Sequence, residues 1–175
     1  LDLALRDCGI AGVSAGDVVD LHSPLQAIVH DALARRGHTH SQAAAVVEAY
    51  RVRLDESVYE RSAPYPGVEA FLRRCLERGQ RLGVCTNKGH DSALRMLTHF
   101  DLLRFFDSVV GGDSAEAPKP DAAPLHRSLR ELEGSPQSAV LVGDTHVDAL
   151  CAHNAGVDFI WHSAGYGQPA AAAPE

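Results

Sequence analysis

The sequence predicts an α/β protein: a parallel sheet covered by helices on both faces, preceded by an all-helical segment. From about residue 63 onward, short apolar runs alternate with stretches of helical periodicity, which is typical of βα units. The apolar runs are nearly continuous, as expected for strands that are buried on both faces. Residues 1 to about 62 show helical periodicity and no strand pattern.

The first segment, residues 1–62, is predicted to contain helices only. The chain opens with a pattern typical of helix, and apolar residues then recur at the spacing of one helix face between Leu25 and Leu33. Ser23-Pro24 is expected to begin this helix and Gly37 to end it. A second helix is predicted from Ser41 to about Tyr59.

The pattern changes sharply at residues 63–67, where two prolines and a glycine interrupt the chain. The elements predicted after this break are, in order, a helix from Val68 that Gly79 ends, a strand at 81–85, a helix carrying Leu94 to Phe100, a strand at 108–110, a helix at 124–132, a strand at 139–142, a helix at 145–154 and a strand at 157–161. Because strands and helices alternate with short connections, the strands are expected to run parallel.

The composition limits the class of partner. The net charge of −7 and the pI of about 5.8 argue against nucleic-acid binding, which usually leaves a basic patch. No apolar stretch is long enough to span a membrane, so a membrane partner is not expected. The sequence leaves the oligomeric state undecided.

The four cysteines, Cys8, Cys75, Cys85 and Cys151, show no Cys-x-x-Cys pairing. We expect free thiols rather than disulfides or zinc ligands, as is typical of a reducing compartment. The predicted location is therefore the cytoplasm.

Two acidic residues follow the apolar run at 140–142. Asp144 comes at the end of the predicted strand, and Asp148 lies one helical turn further on; Asp144 and Thr145 are both candidates for the helix N-cap. Ligands of open α/β sheets bind outside the carboxyl ends of the strands. Two carboxylates placed there suit a hard divalent cation such as Mg²⁺, and both are candidate metal ligands.

Two further segments are predicted at the same edge of the sheet. Thr86-Asn87-Lys88 follows the strand at 81–85, and Lys119 lies between two prolines in a loop. Lys88 and Lys119 are the only two lysines in the chain. The neighbouring prolines limit the freedom of the loop around Lys119, which suits a placed charge, whereas Lys88 is expected to be a surface residue.

Taken in chain order, the three segments resemble the second, third and fourth motifs of the haloacid dehalogenase superfamily of phosphohydrolases. The segment with Thr86 corresponds to the second motif, the loop with Lys119 to the third, and the segment with Asp144 and Asp148 to the fourth. The resemblance implies that Thr86 and Lys119 bind a phosphate group and take part in catalysis. It further implies that Asn87 contacts the substrate and that Asp144 and Asp148 hold Mg²⁺. Residues 65–67, 85–88 and 165–167 look closest to phosphoglycolate phosphatases within the family.

The resemblance also implies a domain organisation. A small all-helical cap would occupy residues 1–62, and a Rossmann-like three-layer core residues 63–168. Residues 169–175, rich in Ala and Pro, are predicted to form a flexible tail. In this fold, a further strand lies between the strands that end at Cys85 and Val142.

That further strand carries the family's first motif, Asp-x-Asp-Gly-Thr, in which the first Asp is the nucleophile and the second the general acid/base. No Asp-x-Asp occurs in the 175 residues. We expect an upstream segment of the natural protein to supply this motif. Natural loss of catalysis is the other interpretation.

The implied function is Mg²⁺-dependent hydrolysis of a small phosphorylated metabolite through an aspartyl-phosphate, with 2-phosphoglycolate as candidate substrate. One alternative is a catalytically inactive, phosphate-binding or regulatory member of the family. A second alternative is a sugar phosphomutase.

Overall fold

The computed structural model describes residues 1–11, 25–35, 37–38, 40–57, 62–165 and 167. The chain divides between Ala63 and Pro64 into two compact units. Among the described residues, no helix is both long and apolar enough to cross a membrane.

The first unit contains the helices α1 (Asp2–Asp7), α2 (Leu25–Ala34) and α3 (Ala43–Ser57), with a 3₁₀ turn at His40–Gln42 before α3. The described part of this unit contains no strand, as the periodicity predicts. Its core is formed by buried apolar side chains from the three helices and from the residues just after α1: Leu5, Ile10, Val29, Leu33, Ala43, Val46 and Val47.

The end of α2 follows the prediction, because Gly37 has a φ of +69°, which favours glycine, and its N–H donates to the carbonyl of Ala34 at 3.1 Å. The predicted helix start at Ser23-Pro24 lies outside the described residues.

The second unit alternates helices and strands. In chain order these are α4 (Val68–Glu77), β1 (Gly83–Cys85), α5 (His90–His99), β2 (Ser108–Val110), α6 (Ala123–Glu131), β3 (Val140–Gly143), α7 (His146–Ala155) and β4 (Asp158–Trp161). Each predicted strand and helix of this part is present, with bounds that differ by a few residues. The α/β prediction is therefore confirmed.

The four strands form two parallel pairs. Gly83 pairs with Ser108 and Cys85 with Val110 in the β1–β2 pair, while Val140 pairs with Asp158 and Gly143 with Trp161 in the β3–β4 pair. The two pairs are separate sheets, so β1 and β3 each have one edge without a strand partner among the described residues.

The core of the second unit lies between the sheet pairs and the helices α6 and α7. Leu125, Leu129, Cys151, Ala155 and Val157 are buried together there, and Cys85 and Leu141 pack against them from the strands. This packing fixes β1 and β3 against the same pair of helices. The loops at their carboxyl ends, after Cys85 and after Gly143, carry Thr86, Asn87 and Asp144, while Asp148 lies in α7 and Lys119 in the loop between β2 and α6.

Candidate functional site

The junction between β3 and α7 places both acidic residues. Asp144 follows β3 directly and is half-buried, and Thr145 is the N-cap of α7. The Thr145 hydroxyl accepts from the N–H of Asp148 at 3.2 Å, and Asp148 Oδ2 accepts from the N–H of Thr145 at 3.1 Å. This reciprocal capping box decides between the two predicted caps in favour of Thr145 and holds the Asp148 carboxylate at the start of the helix.

Asp148 forms a buried ion pair with Lys119. The Lys119 Nζ lies 2.5 Å from Asp148 Oδ1, and each side chain is 9% exposed. Burial raises the pKa of Asp148, but the Lys119 charge and the hydrogen bonds from Lys119 and Thr145 outweigh it, so the pKa is lowered. Asp148 Oδ1 accepts from Lys119 and Oδ2 accepts from Thr145, so both carboxylate oxygens are hydrogen-bonded.

Lys119 links the carboxyl ends of two strands that do not pair. Its ammonium donates to the carbonyl of Cys85, the last residue of β1, at 2.9 Å, and to Asp148 after β3. An ammonium has three N–H donors. The two bonds to described residues leave the third donor for a ligand at this edge.

Thr86 begins the loop between β1 and α5. Its N–H donates to the carbonyl of Val110 at 2.9 Å, which extends the β1–β2 pairing by one residue. Its hydroxyl oxygen accepts from the N–H of Lys88 at 3.1 Å. The hydroxyl proton is not needed for that bond and can be donated to an anion.

The N-terminus of α5 is capped by an acidic side chain from the loop after β2. The N–H of His90 donates to Asp113 Oδ1 at 2.8 Å. A carboxylate at this position is stabilised by the helix dipole. The His90 N–H, which a phosphate could otherwise use, is thus already occupied.

Two glycines after β4, Gly165 and Gly167, lie close to Asp144. The N–H of His162 donates to the carbonyl of Gly143 at 2.7 Å, which starts the loop beside β3. A Cβ added at Gly165 would overlap the Asp144 side chain, and one at Gly167 would overlap the Asp144 carbonyl. Glycine is therefore required at both positions for the backbone to approach Asp144 this closely.

The thiols of Cys85 and Cys151 lie in the same buried cluster. The Cys85 and Cys151 side chains are neighbours, and the contact with Cys151 lowers the pKa of Cys85 while burial opposes it. The same contact and burial raise the pKa of Cys151, whose thiol also donates to the carbonyl of Asp121 at 3.1 Å. All four cysteines are free, as predicted.

Asp144 could hold a divalent cation. Its carboxylate lies after the carboxyl end of β3, close to the backbone of Gly165. Mg²⁺ is commonly bound by one or two carboxylates, with water and substrate phosphate as its other ligands. Within the described ranges, no three His, Cys, Asp or Glu side chains converge on one point.

The structure brings Lys119 and Asp148 into direct contact and places Thr86 next to Cys85, whose carbonyl accepts from Lys119. Asn87 contacts the backbone of Lys119 with both ends of its carboxamide. Sequence reasoning did not identify the Asp113 cap. In the sequence, the glycines of residues 165–167 supported only the resemblance to phosphoglycolate phosphatases. Glycine beside a strand can also indicate that another part of the backbone approaches closely.

Comparison with known proteins identifies the class. Residues 15–162 match the family of haloacid dehalogenase-like hydrolases. This match covers most of the chain, and the chain therefore belongs to that family.

The chain is similar to curated phosphoglycolate phosphatases. It is 41% identical to one from Cereibacter sphaeroides over 102 residues, which cover 58% of this chain and 46% of the relative. It is 37% identical to one from Caulobacter vibrioides over 125 residues, 71% of this chain and 53% of the relative. The chain thus spans about half the length of these curated relatives.

Solved structures confirm the fold. A protein from Haemophilus somnus, described as a predicted phosphoglycolate phosphatase, superimposes with a TM-score of 0.81 at 23% identity. The match covers 95% of this chain and 77% of the Haemophilus somnus chain. A haloacid dehalogenase-like family protein from Streptococcus pneumoniae has a TM-score of 0.77 at 23% identity, with 95% and 76% covered. The fold is an α/β Rossmann-like core together with an all-helical unit.

Proposed function

We propose that the natural protein containing this chain is a Mg²⁺-dependent phosphomonoester hydrolase of small phosphorylated metabolites. The observation that carries the proposal is the buried Lys119–Asp148 pair at 2.5 Å, beside the carboxyl end of β1 and in the helix that follows β3. A buried cation whose third N–H is left for a ligand is suited to an anion such as phosphate.

In the proposed site, Lys119 binds a phosphate oxygen through its third N–H donor. Asp148 and the Cys85 carbonyl hold the ammonium in place at 2.5 and 2.9 Å. A fixed charge that needs no reorganisation stabilises the charge that develops on the phosphoryl group in the transition state.

Thr86 donates its hydroxyl proton to a second phosphate oxygen. The hydroxyl is oriented by the N–H of Lys88, which occupies one of its acceptor sites at 3.1 Å. The N-terminus of α5 contributes little to phosphate binding, because Asp113 already accepts from the N–H of His90.

Asp144 is the proposed Mg²⁺ ligand. Bound Mg²⁺ would neutralise charge on the phosphate. Asp148 was also a candidate ligand, but its oxygens accept from Lys119 and Thr145. We therefore assign Asp148 to the placement of Lys119. Asp144 is proposed as the direct ligand because it follows the carboxyl end of β3, where ligands of open α/β sheets bind.

The nucleophile is proposed to lie in a segment of the natural protein outside these residues. Each of the four strands has one edge without a strand partner among the described residues. Lys119 contacts Cys85 at the end of β1 and Asp148 after β3, which supports a place for the Asp-x-Asp strand between the open edges of β1 and β3. The first Asp of that motif would form the aspartyl-phosphate and the second would act as general acid/base.

The candidate substrate is 2-phosphoglycolate. Relatives named phosphoglycolate phosphatases, at 34–42% identity over their matched segments, support this choice. The helical unit at residues 1–63 is proposed to act as a cap that selects the substrate. The free thiols support a reducing compartment, the cytoplasm.

The test is phosphate release by the natural protein from a panel of phosphomonoesters, in Mg²⁺ and in EDTA. The proposal predicts Mg²⁺-dependent release, with 2-phosphoglycolate among the best substrates. Phosphate binding without release would favour the inactive, regulatory alternative. Conversion of a hexose phosphate to its isomer without release would favour the phosphomutase.

A further inference from the structure

Asn87 joins two loops that are distant in the sequence. Its Oδ1 accepts from the N–H of Lys119 at 2.9 Å, and its Nδ2 donates to the carbonyl of the same residue at 3.0 Å. One carboxamide therefore satisfies both backbone groups of Lys119. Such a two-bond contact fixes the position and the orientation of the peptide units that carry this lysine.

Besides Asn87, the loop around Lys119 is held by the N–H of Asp121, which donates to the Pro118 carbonyl at 3.0 Å, and by the Cys151 thiol, which donates to the Asp121 carbonyl at 3.1 Å. No helix or strand occurs between β2 and α6, so no regular backbone pairing holds residues 111–122. Pro118 and Pro120, on either side of Lys119, have no N–H to donate. The nearest other side-chain bond to this backbone comes from Asn154 in α7, whose Nδ2 donates to the Pro120 carbonyl at 2.9 Å.

We propose that Asn87 is a positioning residue that holds the Lys119 backbone so that its ammonium meets the transferring phosphoryl group. This inference rests on the proposed function for its catalytic consequence. It differs from the substrate contact expected from the sequence, because the bonds that Asn87 makes in the structure are to Lys119.

The two roles predict different kinetics. A displacement of about 1 Å in a catalytic group costs on the order of 100-fold in rate. Loss of the Asn87 bonds in Asn87→Ala is therefore expected to lower kcat by roughly 10- to 100-fold and to change KM by less than about 3-fold. A lost substrate contact would instead raise KM.

A matched control is Asn154→Ala, which removes one bond to the same loop but none to Lys119. We expect it to change kcat by less than about 3-fold. A second comparison is Asn87→Ala combined with Lys119→Met, assayed well below the melting temperature of each variant. If Asn87 acts through Lys119, the double variant has the kcat of Lys119→Met alone.

Lysine labelling tests the placement of Lys119 without any activity. The chain has two lysines, so reductive methylation followed by mass spectrometry reads Lys119 directly, with Lys88 as internal reference. Lys119 is 7% exposed and is expected to label slowly in the wild type, faster in Asn87→Ala, and at a rate in between in Asn87→Asp, which keeps the acceptor for the Lys119 N–H.

The inference is supported if Asn87→Ala labels faster at Lys119 and loses kcat while Asn154→Ala keeps the wild-type kcat. Unchanged Lys119 labelling, a loss that multiplies with that of Lys119→Met, or an equal loss in Asn154→Ala would overturn it. If the natural protein releases no phosphate from any ester, the proposed function fails. The labelling rate of Lys119 still tests whether Asn87 holds this residue in place.

Discussion

Removing one partner of the Lys119–Asp148 pair is expected to destabilise the protein far more than removing both. Lys119→Met keeps most of the side-chain volume and leaves the Asp148 carboxylate buried without its cation. Asp148→Asn leaves the ammonium in the same position. The double variant removes both charges, so neither remains buried and unpaired.

The size of the effect follows from the burial of the pair. Both side chains are 9% exposed and the charged atoms are 2.5 Å apart. Breaking such a pair from one side costs about 3–5 kcal/mol, and at about 2–4 °C per kcal/mol for a chain of this size the melting temperature falls by roughly 6–20 °C. The coupling free energy between the two substitutions is expected to be about 2 kcal/mol or more.

The assay is urea unfolding of the natural protein and its three variants, followed by circular dichroism. The matched control is the exposed pair Arg6–Asp2, with side chains 65% and 38% exposed, for which Arg6→Met and Asp2→Asn are expected to couple by no more than about 0.5 kcal/mol. A Lys119–Asp148 coupling as small as that of the control would refute the assignment of a buried, mutually dependent pair.

Two further predictions concern the same edge of the sheet. Gly165→Ala is expected to raise the Mg²⁺ concentration needed for half-maximal turnover, because the new Cβ would displace the Asp144 carboxylate. The control is Gly134→Ala, where the nearest atom to the added Cβ is 3.7 Å away. An unchanged Mg²⁺ titration in Gly165→Ala would contradict this prediction. The pKa of Asp148 is lowered on folding, so its stabilising contribution is present above about pH 4 and is lost as the pH falls through the folded-state pKa. The stability difference between wild type and Asp148→Asn should therefore shrink below about pH 4, and a constant difference would count against the lowered pKa.

Local patterns in the sequence were sufficient for the elements of the second unit. The apolar run at 140–142 predicts β3, and the cap residues after it predict the start of α7, because both depend on neighbouring residues. The choice between Asp144 and Thr145 as the cap required the structure, which shows the reciprocal bonds of Thr145 and Asp148.

Contacts between distant loops could not be predicted in the same way. The bonds of Asn87 to Lys119 join residues 32 positions apart, and no periodicity encodes such a contact. The cap that Asp113 provides for α5 is likewise set by how β1 and β2 pair. The motif resemblance brought Thr86 and Lys119 to one site, and their roles there stay predictions.

The measurement that tests the central claim most directly is the kcat for Mg²⁺-dependent phosphate release by Asp144→Asn in the natural protein. Asp158→Asn, an exposed Asp at the opposite end of the β3–β4 pair, is the control. We expect Asp144→Asn to lower kcat by about 100-fold or more, about 2.7 kcal/mol of transition-state stabilisation, with the control unchanged. A wild-type rate in Asp144→Asn would remove Asp144 from the site and contradict the proposed metal-dependent phosphoryl transfer at this edge of the sheet.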